Sequence, residues 1–300
     1  MPLTENSLSP TQLDAQYNAR ARVPEFAQHL ARWQSASAEA RAASQAQGLA
    51  TLDIPYHHPA LGPTPGQWLD VFAPLQPAGP RGAPVVVFIH GGYWRSMDKA
   101  DHSFLAPALN EAGACVVIPN YDLCPAVTIP DITRQMVRAL AWTWANIRRF
   151  GGDPRRISVA GHSAGGHLAA MMLACYWQQV DASLPSDLVT RALSISGLFE
   201  LEPLRRAPSF QADLRLTPED ARLASPALLP APRLGRLDAV VGGDESAEFL
   251  RQNALIRDAW GEARVPVCEA LPGLNHFSVL EDLAKPGTRL HQLALGLVEG

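Results

Sequence analysis

One serine in this sequence has the neighbours that a nucleophile requires. Ser163 stands in Gly161-His-Ser-Ala-Gly165 and follows the apolar run Ile157–Ala160. Glycines two residues before and two residues after a serine permit a strained turn between a strand and a helix, and this turn presents the hydroxyl to a substrate. The pattern therefore predicts acyl transfer, in which Ser163 attacks a carbonyl carbon and forms a covalent intermediate.

A serine hydroxyl needs a neighbouring base to accept its proton. The last apolar run, Val265–Ala270, is followed by Leu271-Pro-Gly-Leu-Asn-His276, so a histidine lies on the loop after the last strand. His276 is the predicted base. His162, next to the nucleophile, is expected to pack beside it and to line the substrate pocket. His57-His58 is expected to be solvated rather than to bind a metal ion.

The base in turn needs a carboxylate that fixes its tautomer and stabilises the imidazolium. The run Leu237–Val241 ends at Gly242, and two adjacent carboxylates, Asp244 and Glu245, follow it. Either residue gives the chain order serine, acid, histidine. In such turns the acid usually stands three residues after the glycine, which favours Glu245. Asp244 remains the alternative, and only one of two adjacent side chains can reach the imidazole.

The tetrahedral intermediate needs hydrogen-bond donors for its oxyanion. After the run Val85–Ile89 the chain reads His90-Gly-Gly-Tyr-Trp94, where glycines let backbone N–H groups approach a substrate oxygen. The predicted donors are Gly92 with Gly91 or Tyr93, and Ala164 from the opposite side. The bulky pair Tyr93 and Trp94 is expected to line the acyl side of the pocket and to admit only formyl or acetyl groups. The alternative is that both rings face the core.

These residues must be positioned by a sheet, and the apolar runs indicate eight strands. The runs are Thr51–Tyr56, Gln67–Phe72, Val85–Ile89, Cys115–Ile118, Ile157–Ala160, Arg191–Ile195, Leu237–Val241 and Val265–Ala270. Helical stretches between the later runs are Asp101–Glu111, Pro130–Arg149, Ala164–Trp177 and Ala247–Trp260, and Gly287–Leu297 follows the last run. This alternation predicts an α/β fold with a mostly parallel sheet and helices on both faces. The first two strands have no helix between them and should form an antiparallel edge.

The 300 residues are predicted to form a single domain with two additions to its core. Residues 1–48 are expected to be an N-terminal helical arm, interrupted at Pro24, that packs on its own core or on a second subunit of a homodimer. Residues 197–235 are too long for a simple connection and predict a small helical excursion or cap beside the pocket.

Composition excludes several other classes of protein. The net charge is −4 and no basic run is present, which argues against a nucleic-acid partner. The apolar runs are shorter than a membrane-spanning helix, and the N-terminus lacks the pattern of a secretory signal, so a cytoplasmic location is expected. The four cysteines are far apart, which predicts neither a disulfide framework nor a metal site. The expected partner is a small-molecule substrate, without a cofactor.

The chain resembles the α/β-hydrolase superfamily over residues 50–300. Within it, several segments are similar to the kynurenine formamidase (arylformamidase) family. These segments are His90-Gly-Gly-Tyr-Trp94, the turn at 161–170, Ser196-Gly-Leu-Phe-Glu-Leu-Glu-Pro-Leu204, Glu248-Phe-Leu-Arg-Gln252 and Leu13-Asp-Ala-Gln-Tyr-Asn18. The resemblance implies metal-free hydrolysis of N-formyl-L-kynurenine to formate and kynurenine, and of small aryl or alkyl esters by many relatives. It also implies Glu245 as the acid, where eukaryotic members carry aspartate.

Two functions are therefore expected to share one machinery: an arylformamidase and a small-acyl carboxylesterase. A formamidase must also hold an aryl amino acid, and Arg95, Arg205 and Arg206 are candidates to bind its carboxylate. A third hypothesis, an inactive scaffold that serves as a binding module, would be indicated by a missing triad residue. All three triad residue types are present.

Overall fold

The computed structural model describes residues 8–56, 66–76 and 79–299. The histidine pair at 57–58 lies outside the described residues. Within these ranges eight strands form one sheet in the order β1-β2-β4-β3-β5-β6-β7-β8. The strands are β1 (Ala50–Pro55), β2 (Trp68–Phe72), β3 (Ala83–Ile89), β4 (Cys115–Pro119), β5 (Gly152–His162), β6 (Arg191–Ile195), β7 (Arg236–Gly242) and β8 (Val267–Leu271).

The sheet is mostly parallel, as the alternation of strands and helices predicts. β1 pairs antiparallel with β2, so the antiparallel edge is confirmed, and β2 is also antiparallel to β4. Every other pair is parallel. Ile89 at the end of β3 is in register with Gly161 near the end of β5. The predicted oxyanion loop and the predicted nucleophile therefore follow the carboxyl ends of two adjacent parallel strands and lie side by side.

Helices cover the sheet and connect its strands. The described helices are α1 (Pro10–Tyr17), α2 (Ala19–Arg22), α3 (Phe26–Ala46), α4 (Ala106–Glu111), α5 (Ile129–Asn146), α6 (Ala164–Leu173), α7 (Trp177–Val180), α8 (Glu202–Arg206), α9 (Pro208–Leu214), α10 (Pro218–Leu223), α11 (Ala247–Trp260), α12 (Ser278–Glu281) and α13 (Arg289–Gly296). In the described ranges, 3₁₀ turns span Lys99–Leu105, Ile147–Phe150, Pro226–Leu228 and Asp282–Ala284. The helix predicted over 164–177 ends at Leu173, and a separate short helix begins at Trp177.

Alternating residues of the central strands belong to two different cores. Val85 and Val87 of β3 lie in the core that includes α5 and α6, whereas Val86 and Phe88 lie in the core that includes α4 and α13. This follows from the period of two in a strand, which sends successive side chains to opposite faces. Both faces are therefore buried, and the strand reads as a continuous apolar run. Among the described residues no helix is long and apolar enough to span a membrane.

The first three helices pack onto the core near the carboxyl ends of the parallel strands, where the candidate site lies. Leu13 and Tyr17 of α1 are fully buried, and Trp33 of α3 is nearly so. The break between α2 and α3 falls at Pro24, where the sequence predicts an interruption. Three short helices, α8 to α10, lie between β6 and β7, in the segment where a helical excursion is expected.

Candidate active site

Ser163 occupies a sharp turn between β5 and α6. Its φ is +57° and its ψ is −119°, a conformation that non-glycine residues rarely adopt. A Cβ atom on Gly161 would lie 2.1 Å from the carbonyl oxygen of Gly165, and one on Gly165 would lie 1.9 Å from that of Ile89. Both glycines are therefore required by close backbone contacts, which is the physical basis of the spacing in the sequence.

Three side chains from separate loops meet at this turn. His276 Nε2 lies 3.1 Å from Ser163 Oγ, and His276 Nδ1 lies 2.6 Å from Glu245 Oε2. All three residues are buried. Glu245 accepts a hydrogen bond from the Nδ1–H of His276, which leaves the Nε2 lone pair directed at the serine hydroxyl. The arrangement allows His276 to receive the proton of Ser163 as the oxygen attacks.

The structure distinguishes between the two adjacent carboxylates. The Glu245 side chain is 1% exposed and contacts His276, whereas Asp244 is exposed to solvent. Glu245 Oε1 also accepts hydrogen bonds from Ser196 Oγ at 2.5 Å and from the backbone N–H of Gly242 at 2.8 Å. These two donors hold the carboxylate at the ends of β6 and β7.

His162 and His167 pack around the nucleophile, and each donates one hydrogen bond to a backbone carbonyl. His162 Nε2 lies 2.8 Å from the carbonyl oxygen of His276, and its ring centre is 4.8 Å from the His276 ring. Burial and the neighbouring His276 hold the pKa of His162 well below its ordinary value, so the ring is neutral. His167 Nε2 lies 2.6 Å from the carbonyl oxygen of Ala224, and burial lowers the pKa of His167 to about 4.

Side-chain hydroxyl groups hold two backbone carbonyl groups of the loop after β3, and this sets the direction of the N–H groups in the same peptides. The Tyr121 hydroxyl donates to the carbonyl oxygen of Gly91 at 3.1 Å, and Ser96 Oγ donates to that of Gly92 at 2.9 Å. In a trans peptide the N–H points opposite to the C=O. The N–H groups of Gly92 and Tyr93 therefore face away from these donors. Gly92 has φ +102° and Tyr93 has φ +51°, so the loop is locally strained.

Two further predicted donors lie on either side of the nucleophile. Ala164 is the first residue of α6, where a backbone N–H has no partner within its own helix. A Cβ atom on Gly91 would lie 3.1 Å from Ser163 Cβ, so the Gly91 backbone packs directly against the serine. The structure thus places the backbones of Gly91 and Ala164 beside Ser163.

A pocket of about 70 Å³ opens above Ser163. The N-terminal helices form one of its walls, and aromatic rings from several elements form much of the rest. The lining residues are Asn18, Ala19, Arg20, Leu30, Trp33, Gly92, Tyr93, Arg95, Ser96, Met97, His162, Ser163, Ser209, Phe210, His276 and Phe277. Tyr93 and His162, two of the residues predicted to bind the substrate, are among those that line the pocket.

Trp94 departs from the expectation that it lines the acyl side. Its side chain is fully buried in the core, and its ring centre lies 4.9 Å from that of His167. The backbone of Trp94 has φ +53°, like that of Tyr93, and the two rings diverge with an angle of 65° between their planes. Of the two alternatives in the sequence, pocket or core, Tyr93 takes the first and Trp94 the second.

The three arginines predicted to bind a carboxylate are placed differently. Arg205 pairs with Glu202, and Arg206 donates to the carbonyl oxygen of Leu8. Only Arg95 of the three lines the pocket. Among the described residues, no group of three or more His, Cys, Asp or Glu side chains is arranged to hold a metal ion.

Sequence reasoning missed two contributions to the site. Ser196 lies in a segment that carries the family resemblance, but no local spacing indicates that its hydroxyl supports the acid. The arm residues Arg20 and Trp33 are far from Ser163 in the chain and lie in no recognised pattern. They reach the pocket only because α1 to α3 pack over the carboxyl ends of the parallel strands.

Comparison with known proteins identifies the fold family and several similar hydrolases. A family model described as alpha/beta hydrolase fold matches residues 86–242. The kynurenine formamidase of Danio rerio is 28% identical, with 97% of each chain covered, and that of Salmo salar is 29% identical, with 85% of this chain and 84% of the relative covered. Esterase LipC of Mycobacterium tuberculosis is 32% identical over 79% of this chain and 63% of its own. A candidate thioesterase of known structure from Silicibacter superposes with a TM-score of 0.80 at 30% identity, covering 97% of this chain and 100% of its own.

Proposed function

Because this chain belongs to the α/β-hydrolase fold family and is a hydrolase of the arylformamidase or esterase type, we propose that it hydrolyses aryl formamides of the N-formyl-kynurenine type or small-acyl esters through an acyl-enzyme on Ser163. The observation that carries the proposal is the continuous set of hydrogen bonds from Ser163 through His276 to Glu245. Its order and geometry are those required for nucleophilic catalysis by a serine.

In the first half of the reaction Ser163 Oγ attacks the formyl carbon while its proton moves to His276 Nε2. Glu245 stabilises the resulting imidazolium from the Nδ1 side. The negative charge on the substrate oxygen is stabilised by backbone N–H groups of the loop after β3 and of Ala164, each worth about 3 kcal/mol in comparable sites. His276 then gives its proton to the leaving amine, and formyl-Ser163 remains.

In the second half a water molecule attacks the formyl-serine carbonyl while His276 accepts its proton. Collapse of the second tetrahedral intermediate returns the proton to Ser163 Oγ and releases formate. His276 acts first as base and then as acid in each half of the reaction, so no further side chain is needed for proton transfer.

The character of the pocket supports aryl formamides as substrates. Its walls carry the rings of Trp33, Tyr93, Phe210 and Phe277, which suit an aromatic leaving group. The Tyr93 ring, which lines the pocket next to the loop after β3, favours a short acyl group such as formyl or acetyl. Relatives that match nearly the whole chain are described as kynurenine formamidases.

A general small-acyl carboxylesterase is the second candidate. The similarity to Esterase LipC, at 32% identity, favours it, and the same three residues would carry it out. The two functions differ in the leaving group, because expulsion of an amine requires that His276 protonate the nitrogen, whereas a phenolate leaves more readily.

The test compares kcat/KM for N-formyl-L-kynurenine and for p-nitrophenyl acetate in the wild type and in Ser163→Ala. A value of about 10⁴ M⁻¹s⁻¹ or more for the formamide, lost in Ser163→Ala, would establish the arylformamidase. Ester turnover alone, lost in the same variant, would establish the carboxylesterase. If neither substrate is turned over in a Ser163-dependent manner, the proposal is wrong and the inactive scaffold is favoured.

A further inference from the structure

The pocket above Ser163 contains charge of only one sign. Two of its lining residues are arginines, Arg20 and Arg95, and none of the described lining residues is an aspartate or a glutamate. The remaining lining residues are neutral at pH 7 or are the histidines near the nucleophile. Whether the pocket attracts an anion therefore depends on whether either arginine is already neutralised.

Arg95 is engaged by the protein itself. Its Nη1 donates to Asp213 Oδ2 at 2.5 Å and to the carbonyl oxygen of Ser209 at 2.9 Å. The guanidinium also lies over the Phe210 ring, 4.8 Å from its centre. With its charge paired and its plane stacked, Arg95 forms part of the wall and is a poor candidate to bind a substrate charge.

Arg20 has no such partner. Its Nη2 donates to Ser96 Oγ at 3.3 Å, and its guanidinium lies 5.7 Å from the centre of the Phe26 ring. No acidic side chain pairs with it in the part of the chain that the structure describes. Arginine carries five N–H donors, so most of those on Arg20 remain available at the pocket wall.

The backbone that carries Arg20 is anchored. Asn18 caps the helix α2 by accepting a hydrogen bond from the N–H of Ala21 at 3.1 Å, and Ala19 is buried. Asn18 and Ala19 line the same pocket as Arg20. The guanidinium is therefore presented from a fixed short helix rather than from a free loop.

We propose that Arg20 binds a carboxylate on the leaving group of the substrate, so that the enzyme selects aryl formamides or esters that carry a carboxylate over neutral ones. The inference rests on the proposed function, because a formyl or acetyl group carries no carboxylate and a carboxylate must then belong to the leaving group of the substrate. A planar guanidinium can bind a carboxylate through two parallel N–H···O hydrogen bonds.

The kinetic test uses two substrates that differ only in charge: 4-(2-formamidophenyl)-4-oxobutanoate and its primary carboxamide. We expect Arg20→Gln to lower kcat/KM for the carboxylate about 10- to 100-fold, mainly through KM, and to change the value for the carboxamide less than about 2-fold. Arg20→Lys should retain part of the preference. Arg222→Gln, which removes an exposed arginine of α10 paired with Glu219, should leave both values unchanged.

A binding measurement separates this inference from the proposed function. Calorimetry with Ser163→Ala compares the amine products of the two substrates, and it requires no turnover. We expect the carboxylate product to bind about 10-fold more tightly than its carboxamide, and Arg20→Gln in the same background to remove the difference. Equal affinities for the two products would overturn the role of Arg20, whether or not the formamide is hydrolysed. An equal fall of kcat/KM for both substrates in Arg20→Gln would also overturn it.

Discussion

Ser196 Oγ donates a hydrogen bond of 2.5 Å to Glu245 Oε1, the carboxylate oxygen that does not face His276. Ser196 follows the last residue of β6 and adopts φ +53°, which turns its side chain toward the end of β7. The acid is thus oriented from two sides: Ser196 and the Gly242 N–H hold one oxygen, and His276 faces the other.

Ser196→Ala should reduce kcat about 10- to 100-fold with little change in KM. The lost bond is a charge-assisted one, and its loss lets the carboxylate rotate away from His276 while the Gly242 N–H still holds it in part. Steady-state kinetics on the substrate that proves active is the measurement. Ser158→Ala is the matched control, because Ser158 is also buried but donates to the carbonyl oxygen of Leu297. A similar fall of kcat in both variants would contradict the role of Ser196.

Glu245→Gln should reduce kcat about 10⁴-fold, whereas Asp244→Asn should leave it within about 2-fold. Glutamine keeps the shape of the side chain but can donate to His276 Nδ1 and so stabilise the wrong tautomer. Asp244 is exposed and, being adjacent in the chain, is the closest available control. Circular dichroism and kcat of both purified variants provide the check. A large loss in Asp244→Asn with near-normal Glu245→Gln would reverse the assignment of the acid.

Local patterns predicted the parts of the site that are set by neighbouring residues. The glycines around Ser163 are fixed by backbone contacts within that turn and with β3, so their spacing is visible in the sequence. The eight apolar runs correspond to the eight described strands. Central strands such as β3 are buried on both faces and read as continuous apolar runs, whereas the edge strand β1 alternates between half-buried and exposed residues.

Contacts between distant segments were not predictable in this way. Tyr17 and Glu248 are 231 residues apart and meet only after α1 packs on α11. The same limit applies to Trp94, since the direction of a side chain after a strained glycine loop depends on the packing available on each side. For adjacent Asp244 and Glu245 the sequence left two alternatives, and the fold of the loop after β7 separates them.

Acidification should destabilise the protein through its buried neutral histidines. Burial lowers the pKa of His167 to about 4 and that of His102 to about 3, and it holds the pKa of His162 well below its ordinary value. The unfolded chain binds these protons below about pH 6.5 and the folded chain does not, so stability falls as pH falls below that value. Between pH 7 and pH 5, His167 and His102 should each contribute a loss of about 2 kcal/mol.

His167→Gln tests this expectation at one site. Glutamine can still donate to the carbonyl oxygen of Ala224 but does not titrate. The free energy of unfolding is measured by urea denaturation at pH 7 and at pH 5. Its decrease from pH 7 to pH 5 should be about 2 kcal/mol smaller in the variant than in the wild type. An identical pH difference in both proteins would show that His167 is not held neutral by the fold.

Tyr17→Phe should loosen the N-terminal helices and weaken substrate binding. The Tyr17 hydroxyl donates to Glu248 Oε2 at 2.8 Å and accepts from Gln252 Nε2 at 2.9 Å, and its backbone carbonyl accepts from the Tyr93 hydroxyl. Removing a buried hydroxyl between such partners should lower the free energy of unfolding by about 1–3 kcal/mol. Because Tyr17 directly precedes the pocket wall that begins at Asn18, KM should rise more than kcat falls.

Tyr176→Phe is the matched control for this change, because Tyr176 is 45% exposed and lies outside the pocket above Ser163. Its free energy of unfolding should stay within about 0.5 kcal/mol of the wild type. Urea denaturation and steady-state kinetics of the two variants supply both readouts. If Tyr17→Phe matches Tyr176→Phe in stability and KM, the Tyr17 hydroxyl does not anchor the N-terminal helical arm to the core. A loss of stability with an unchanged KM would mean that the arm is fastened by Tyr17 but does not shape the pocket.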